Sequence, residues 1–124
     1  MRHAITSNRI AAPVGPFSPA VRDGDLVVTS GCIGQDPNTG KLVEGGVAAQ
    51  TAQVFANLNA LLEAGGKTLA NVTKVNVYLT DMHDFAAMNE VYAEQFEKPY
   101  PARTTVGVAG LPLGAAVEIE LVAR

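Results

Sequence analysis

The stretch VAAQTAQVFANLNALLEAGGKTLANVTKVNVYLT (residues 47–80) changes its hydrophobic period halfway along, and that change decides the fold. Over 47–64, Val47, Thr51, Val54, Phe55, Leu58, Leu61 and Leu62 fall at helical spacing and form one stripe. A helix is predicted there, stopped by Gly65 and Gly66 as C-cap residues. Over 72–80, Val75, Val77 and Leu79 alternate with Lys74, Asn76 and Tyr78, which predicts a strand with one buried face. An amphipathic helix beside a one-sided strand buries both apolar surfaces by packing helix on sheet.

The flanking segments extend this unit. Upstream, PVGPFSP (13–19) holds three prolines and a glycine and reads as a fixed turn or extended segment. LVVTS (26–30) reads as a strand buried on both faces, and GCIGQDPNTGK (31–41) as a loop. Downstream, Phe85, Met88, Val91, Tyr92 and Phe96 mark a second helix over about 84–97. Asp81 or Asp84 can cap it, and Lys98–Pro99–Tyr100–Pro101 ends it. RTTVGV (103–108) and AVEIELVA (116–123) are the last strands. The order β-β-α-β-α-β-β predicts an α+β sandwich: a mixed sheet of five or six strands with two helices on one face. The other face is not uniformly polar, and self-association is its simplest cover.

Length and composition narrow the function. At 124 residues the chain is expected to be a single domain spanning 1–124. Apolar residues are 48% and charged residues 17%, so it can hold a packed core. A net charge of −3 and no basic stripe argue against a nucleic-acid partner. No apolar run approaches membrane length. Cys32 is alone and has no internal disulfide partner; the start MRHAITSNRIAAP lacks an apolar signal core. A cytoplasmic location is the expectation.

Candidate chemistry is sparse. GxSxG, Walker, GxGxxG, HExxH and CxxC motifs are absent. His3 and His83 have no ligand-spaced partners, so no metal site is expected. Cys32 follows Ser30–Gly31 at a strand end, but no histidine stands near it, which favours a small buried side chain over a nucleophile. Asn89 interrupts the apolar stripe of the second helix; its amide either bonds a neighbouring strand or loop or orients a site loop. Alternation places Arg103, Thr105 and Gly107 on one face of their strand, and Glu118 and Glu120 on one face of the next. The two strands are consecutive, so a guanidinium, a carboxylate and a glycine-lined backbone are expected to meet on one face. That arrangement suits either a structural ion pair or a substrate carboxylate held two-point by the arginine.

GPFSPAV (15–21), VVTSGCIG (27–34), DMHDFAAMNEVYAEQF (81–96) and YPARTTVGVAGLPLGAAVEIE (100–120) together resemble the RidA/YjgF family of imine deaminases nearly end to end. The resemblance implies a chorismate-mutase-like sandwich, assembled as a homotrimer around a central barrel with sites between subunits. It implies hydrolysis of 2-iminobutanoate and 2-iminopropanoate to 2-keto acids and ammonia, with no cofactor or metal. By resemblance Arg103 clamps the substrate carboxylate and Glu118 positions the attacking water. Ser30 and Gly31 form the turn that meets the imino end, Asn89 supports the site, and Phe17 and Thr105 line it. Phe17 stands where many members have Tyr, and Thr105 where many have Cys. A module that binds or shields without turnover, and an aminomuconate-type deaminase, fit the same motifs; RNA cleavage fits the acidic charge poorly.

Overall fold

A computed structural model describes all 124 residues. Strands β1 (His3–Ile5), β2 (Ala20–Asp23) and β3 (Leu26–Thr29) precede helix α1 (Gly46–Ala64). Strand β4 (Val72–Leu79), helix α2 (Phe85–Gln95), strand β5 (Ala102–Gly107) and strand β6 (Val117–Ala123) follow. The six strands form one mixed sheet in the order β1-β2-β3-β6-β4-β5. Every neighbouring pair is antiparallel except β4 and β5, which α2 joins as a parallel crossover.

The period change at residues 65–71 does what its chemistry predicts. Gly66 takes the left-handed conformation (φ 78°) that ends α1. Val75, Val77 and Leu79 of β4 are fully buried, as are Val54, Leu58, Leu61 and Leu62 of α1. They share one core with Val27, Val117, Ile119 and Leu121. Between the helices Phe55 meets Tyr92 and Phe96 edge-on, each at 5.6 Å between ring centroids.

Three strands precede α1 where two were expected. β1 and β2 are three and four residues long, too short to show a period. The hairpin signal is instead local: Gly24, at φ 60°, turns the chain between Asp23 and Leu26. In α2, Phe85 lies partly outside the apolar stripe predicted for it. Asp81 caps not α2 itself but the 3₁₀ turn before it, accepting from the His83 N–H.

The expected meeting of Arg103 and Glu118 on one face is corrected by the topology. β4 lies between β5 and β6, and residues in register across a sheet share a face. Arg103 is in register with Val75, and Val75 with Leu121, which puts Arg103 on the helix side. Glu118 is in register with Tyr78, and Tyr78 with Val106, which puts Glu118 on the opposite face. That second face carries Val21, Val28, Asn76, Glu120 and Val122, all only partly buried.

Candidate active site

The predicted site residues fall into two groups, one on each side of the sheet. On the helix side, Arg103 sits at the start of edge strand β5 and its guanidinium lies 4.6 Å from the Tyr92 ring centre. The Phe85 ring is 5.6 Å away, so two aromatic faces hold the cation. Arg103 Nη1 donates to Asn89 Oδ1 at 2.8 Å. The Asn89 amide on the apolar stripe therefore orients the guanidinium. No carboxylate reaches Arg103: the ion pairs of the chain are Met1–Asp23, Arg9–Glu63 and His83–Asp81. The structural ion pair is thus excluded, and the rest of the guanidinium fork faces a cleft of about 290 Å³ with Tyr100 and Pro101. Two residues along, the Thr105 hydroxyl is buried and has no partner.

The second group surrounds a larger cavity of about 430 Å³, lined among others by Phe17, Ser30, Gly31, Cys32 and Glu118. Its geometry is set by backbone clamps. Cys32 N donates to Ile119 O at 2.8 Å and Ile119 N donates to Cys32 O at 2.9 Å, which pins the turn after β3 onto β6. This brings Gly31 against Glu118: a Cβ on Gly31 would lie 2.6 Å from Glu118 Oε1, so any larger residue would push the carboxylate aside. The Gly31 N–H has no partner within the chain. Ser30 Oγ donates to Ser18 O at 2.6 Å, so its hydroxyl tethers the 15–19 segment that carries Phe17. Phe17 is 52% exposed at the cavity mouth.

Burial shifts the two titratable groups of this cavity toward their neutral forms. Burial, and then the charge of Glu120, hold the Glu118 carboxyl above the usual carboxylate range. Burial, and then the charge of Glu118, push the Cys32 thiol up to about 12, so it stays protonated and is no nucleophile. His3 lies exposed on edge strand β1, and His83 is paired with Asp81 on the surface, away from both groups. No three His, Cys, Asp or Glu side chains converge as a metal would require.

Sequence reasoning missed three contributors. Tyr92, a core residue of the α2 stripe, is also the platform for Arg103. Asn57 lines the larger cavity and donates to Ile33 O at 3.3 Å and Gln35 O at 3.0 Å, holding the loop after Gly31. Its signal was the one noticed at Asn89: an amide at helical spacing between Val54 and Leu61. Leu113 overhangs the same cavity, 65% exposed and in a left-handed conformation (φ 58°) that costs a non-glycine residue about 1 kcal/mol. Nothing in its sequence signals that.

The α+β fold thus carries an arginine without a carboxylate partner on one face of its sheet and a carboxylate packed against Gly31 on the other. The family model described as Endoribonuclease L-PSP matches residues 6–124. A RutC family protein of Pyrococcus horikoshii is 46% identical over 123 residues, 99% of this chain and 98% of its own length. The human protein named 2-iminobutanoate/2-iminopropanoate deaminase is 41% identical over 123 residues, 99% of this chain and 90% of its own. The crystal structure of RidA from an Antarctic Psychrobacter superposes with a TM-score of 0.95 at 47% identity, covering 98% of each chain. The chain belongs to the RidA/YjgF family.

Proposed function

We propose that the protein hydrolyses 2-imino acids such as 2-iminobutanoate and 2-iminopropanoate at sites formed where one copy's Arg103 face meets another copy's Glu118 face. The observation that carries this is the separation of the two groups. Arg103 has every group needed to hold a carboxylate, and Glu118 every group needed to handle water, but they lie on opposite sides of one sheet. A second copy would bring them together. Exposed apolar residues support such a contact: Phe85, Tyr100 and Val106 stand on or beside β5, and Val14, Phe17 and Leu113 around the larger cavity. A contact between two different surfaces is head-to-tail, and three copies close it into a ring.

In this mechanism Arg103, oriented by Asn89 and Tyr92, binds the substrate carboxylate and fixes the imino carbon. Thr105 borders that carboxylate. The Gly31 N–H contacts the imino end, and Phe17 covers it. Glu118 accepts a proton from the attacking water as the C–O bond forms and gives it to nitrogen; it then carries the proton of the new hydroxyl to nitrogen as the C=O bond forms. The C–N bond breaks, ammonia leaves, and the 2-keto acid remains. Water is the only co-reactant, and this reading routes no step through a cofactor or metal. The names of several relatives, 41–45% identical, as 2-iminobutanoate/2-iminopropanoate deaminases support this chemistry. RNA cleavage, the activity in the family model's description, is disfavoured by a net charge of −3.

The test is complementation. Arg103→Ala and Glu118→Ala chains are each expected to release no ammonia above the spontaneous rate. Unfolded and reassembled together, they should recover about a quarter of the parental activity, the fraction of head-to-tail sites that draw both intact halves from different copies. Two inactive variants that never complement would overturn the shared site. A parent protein that binds 2-keto acids but never accelerates ammonia release would instead make this a binding module.

A further inference from the structure

We infer that Tyr78 is a positioning residue for Glu118: its hydroxyl pins the Glu120 carboxylate beside Glu118, on the sheet face away from the helices. What Glu118 does with a proton rests on the function proposed above; the placement of the three side chains does not.

Register and alternation set that placement. Tyr78 lies directly opposite Glu118 across the β4–β6 pair, which puts their Cβ atoms about 5 Å apart. Glu120 follows Glu118 on the same side of β6, about 7 Å along the strand. The Tyr78 hydroxyl donates to Glu120 Oε1, so a ring that starts opposite one carboxylate ends on the other. An unpinned glutamate on a half-open face turns into water, where its charge is screened. Held by the tyrosine, the Glu120 charge stays beside Glu118. A phenylalanine at this position would fill the same space and hold nothing.

No cation of the chain offsets the two carboxylates, and neither forms an ion pair. Lys74 of β4 shares their face but donates to Thr104 Oγ1 of β5 at 2.7 Å. Asp23 of β2 is paired with the Met1 amino group. From the turn after β3 the titratable group near Glu118 is the Cys32 thiol, which stays neutral, and the 10–17 segment and Leu113 bring none. In the proposed assembly another copy's Arg103 faces Glu118 in every variant alike, so a comparison between variants cancels it. Glu118 holds its proton more tightly than an ordinary carboxyl, through burial first and the Glu120 charge second. The Tyr78 hydroxyl is itself raised, chiefly by its bond to Glu120, and remains a donor. A carboxylate of greater proton affinity is the stronger base toward an attacking water.

The experiment titrates the Glu118 carboxyl by carbon NMR in protein carrying labelled glutamate, its signal assigned as the one missing from Glu118→Gln, and measures kcat/KM for 2-iminobutanoate across pH. Tyr78→Phe and Glu120→Gln should each move the Glu118 midpoint down. The double variant should move it no further than Glu120→Gln, because Tyr78 acts through Glu120. On the acid limb both variants should hydrolyse about two- to fivefold faster than the parent, the effect of one half-exposed charge on another, and at neutral pH both should be slower. A merely structural tyrosine would move the melting temperature without this crossing of profiles. A midpoint that Tyr78→Phe leaves unchanged, or that the double variant moves further than Glu120→Gln, overturns the inference while the hydrolysis stands. Glu120→Gln tests the same charge without touching the ring, and an unmoved midpoint in it overturns the inference as well. Shifted midpoints in a protein that accelerates no imine overturn the hydrolysis and support the pair.

Discussion

Arg103 is a cation whose surroundings have been arranged without giving it a counter-charge. Tyr92 and Phe85 flank it and Asn89 aims it, and no carboxylate of the chain pairs with it. Arg103→Ala should cost about 1 kcal/mol of stability, the worth of the lost aromatic stacking. It should lower imine hydrolysis by about a hundredfold or more, because a two-point charge-assisted contact is lost. Arg103→Lys should recover only part of this, since an ammonium is not planar. Ammonia release and thermal melting check both.

Glu118 behaves in the opposite sense. Its folded-state pKa lies above the unfolded value, so the native state favours the neutral acid. Its ionisation therefore costs stability once pH rises above the ordinary carboxylate range, and that cost vanishes below it. Glu118→Gln should melt higher than the parent at neutral pH, equal it in acid, and lose activity throughout. The acid limb of the parent's rate profile should fall above the ordinary glutamate value of about 4.3. A Glu118→Gln variant that melts lower at neutral pH would contradict the burial argument.

At the scale of elements, α1 does more than cover the sheet. Its buried amides reach the loops on either side of the larger cavity: Asn57 holds Ile33 and Gln35, and Gln50 Oε1 accepts from Ala116 N at 2.9 Å. Asn57→Ala takes the donor from the Gln35 carbonyl, leaves the Ile33 carbonyl only its bond from Gln35 N, and should destabilise by about 1–3 kcal/mol. At temperatures where the variant remains folded, KM should rise more than kcat falls, because the loop moves while the reacting groups remain. These elements were legible in the sequence to different degrees. α1 and β4 announce themselves because each repeats its period long enough to be counted. β1 and β2 do not, being no longer than two full alternations. The site shows the same divide. Asn89 was visible as an amide out of place on an apolar stripe, and the PAR and VEI segments placed Arg103 and Glu118 at strand positions. Their relative placement was not visible, because order along the chain does not tell that β6 inserts between β3 and β4. Alternation assigns a residue to a side of its own strand; only the sheet order relates one strand's sides to another's.

For the whole molecule, the sheet face away from the helices is the decisive surface. Val21, Val28 and Val122 are left half-covered, and Val106, on the edge strand of the same face, is 41% exposed. Packing a neighbouring copy against it would remove that area from water, with the polar members Tyr78 and Glu120 already hydrogen-bonded to each other. Light scattering should give about three times the 12.9 kDa chain mass at micromolar concentration, as expected of an obligate ring. Val106→Asp should yield a smaller species without imine hydrolysis. A fully active monomer would refute the shared site at once.

The placement of Arg103 and Glu118 on opposite faces of one sheet also bears on inheritance. If each site borrows one group from each of two neighbours, a chain defective in both groups spoils two sites rather than one. An organism carrying one normal and one doubly defective gene copy would then keep about a quarter of its activity, not half, and the defect would be dominant. A copy defective in Arg103 alone would leave about half, as a simple recessive loss does.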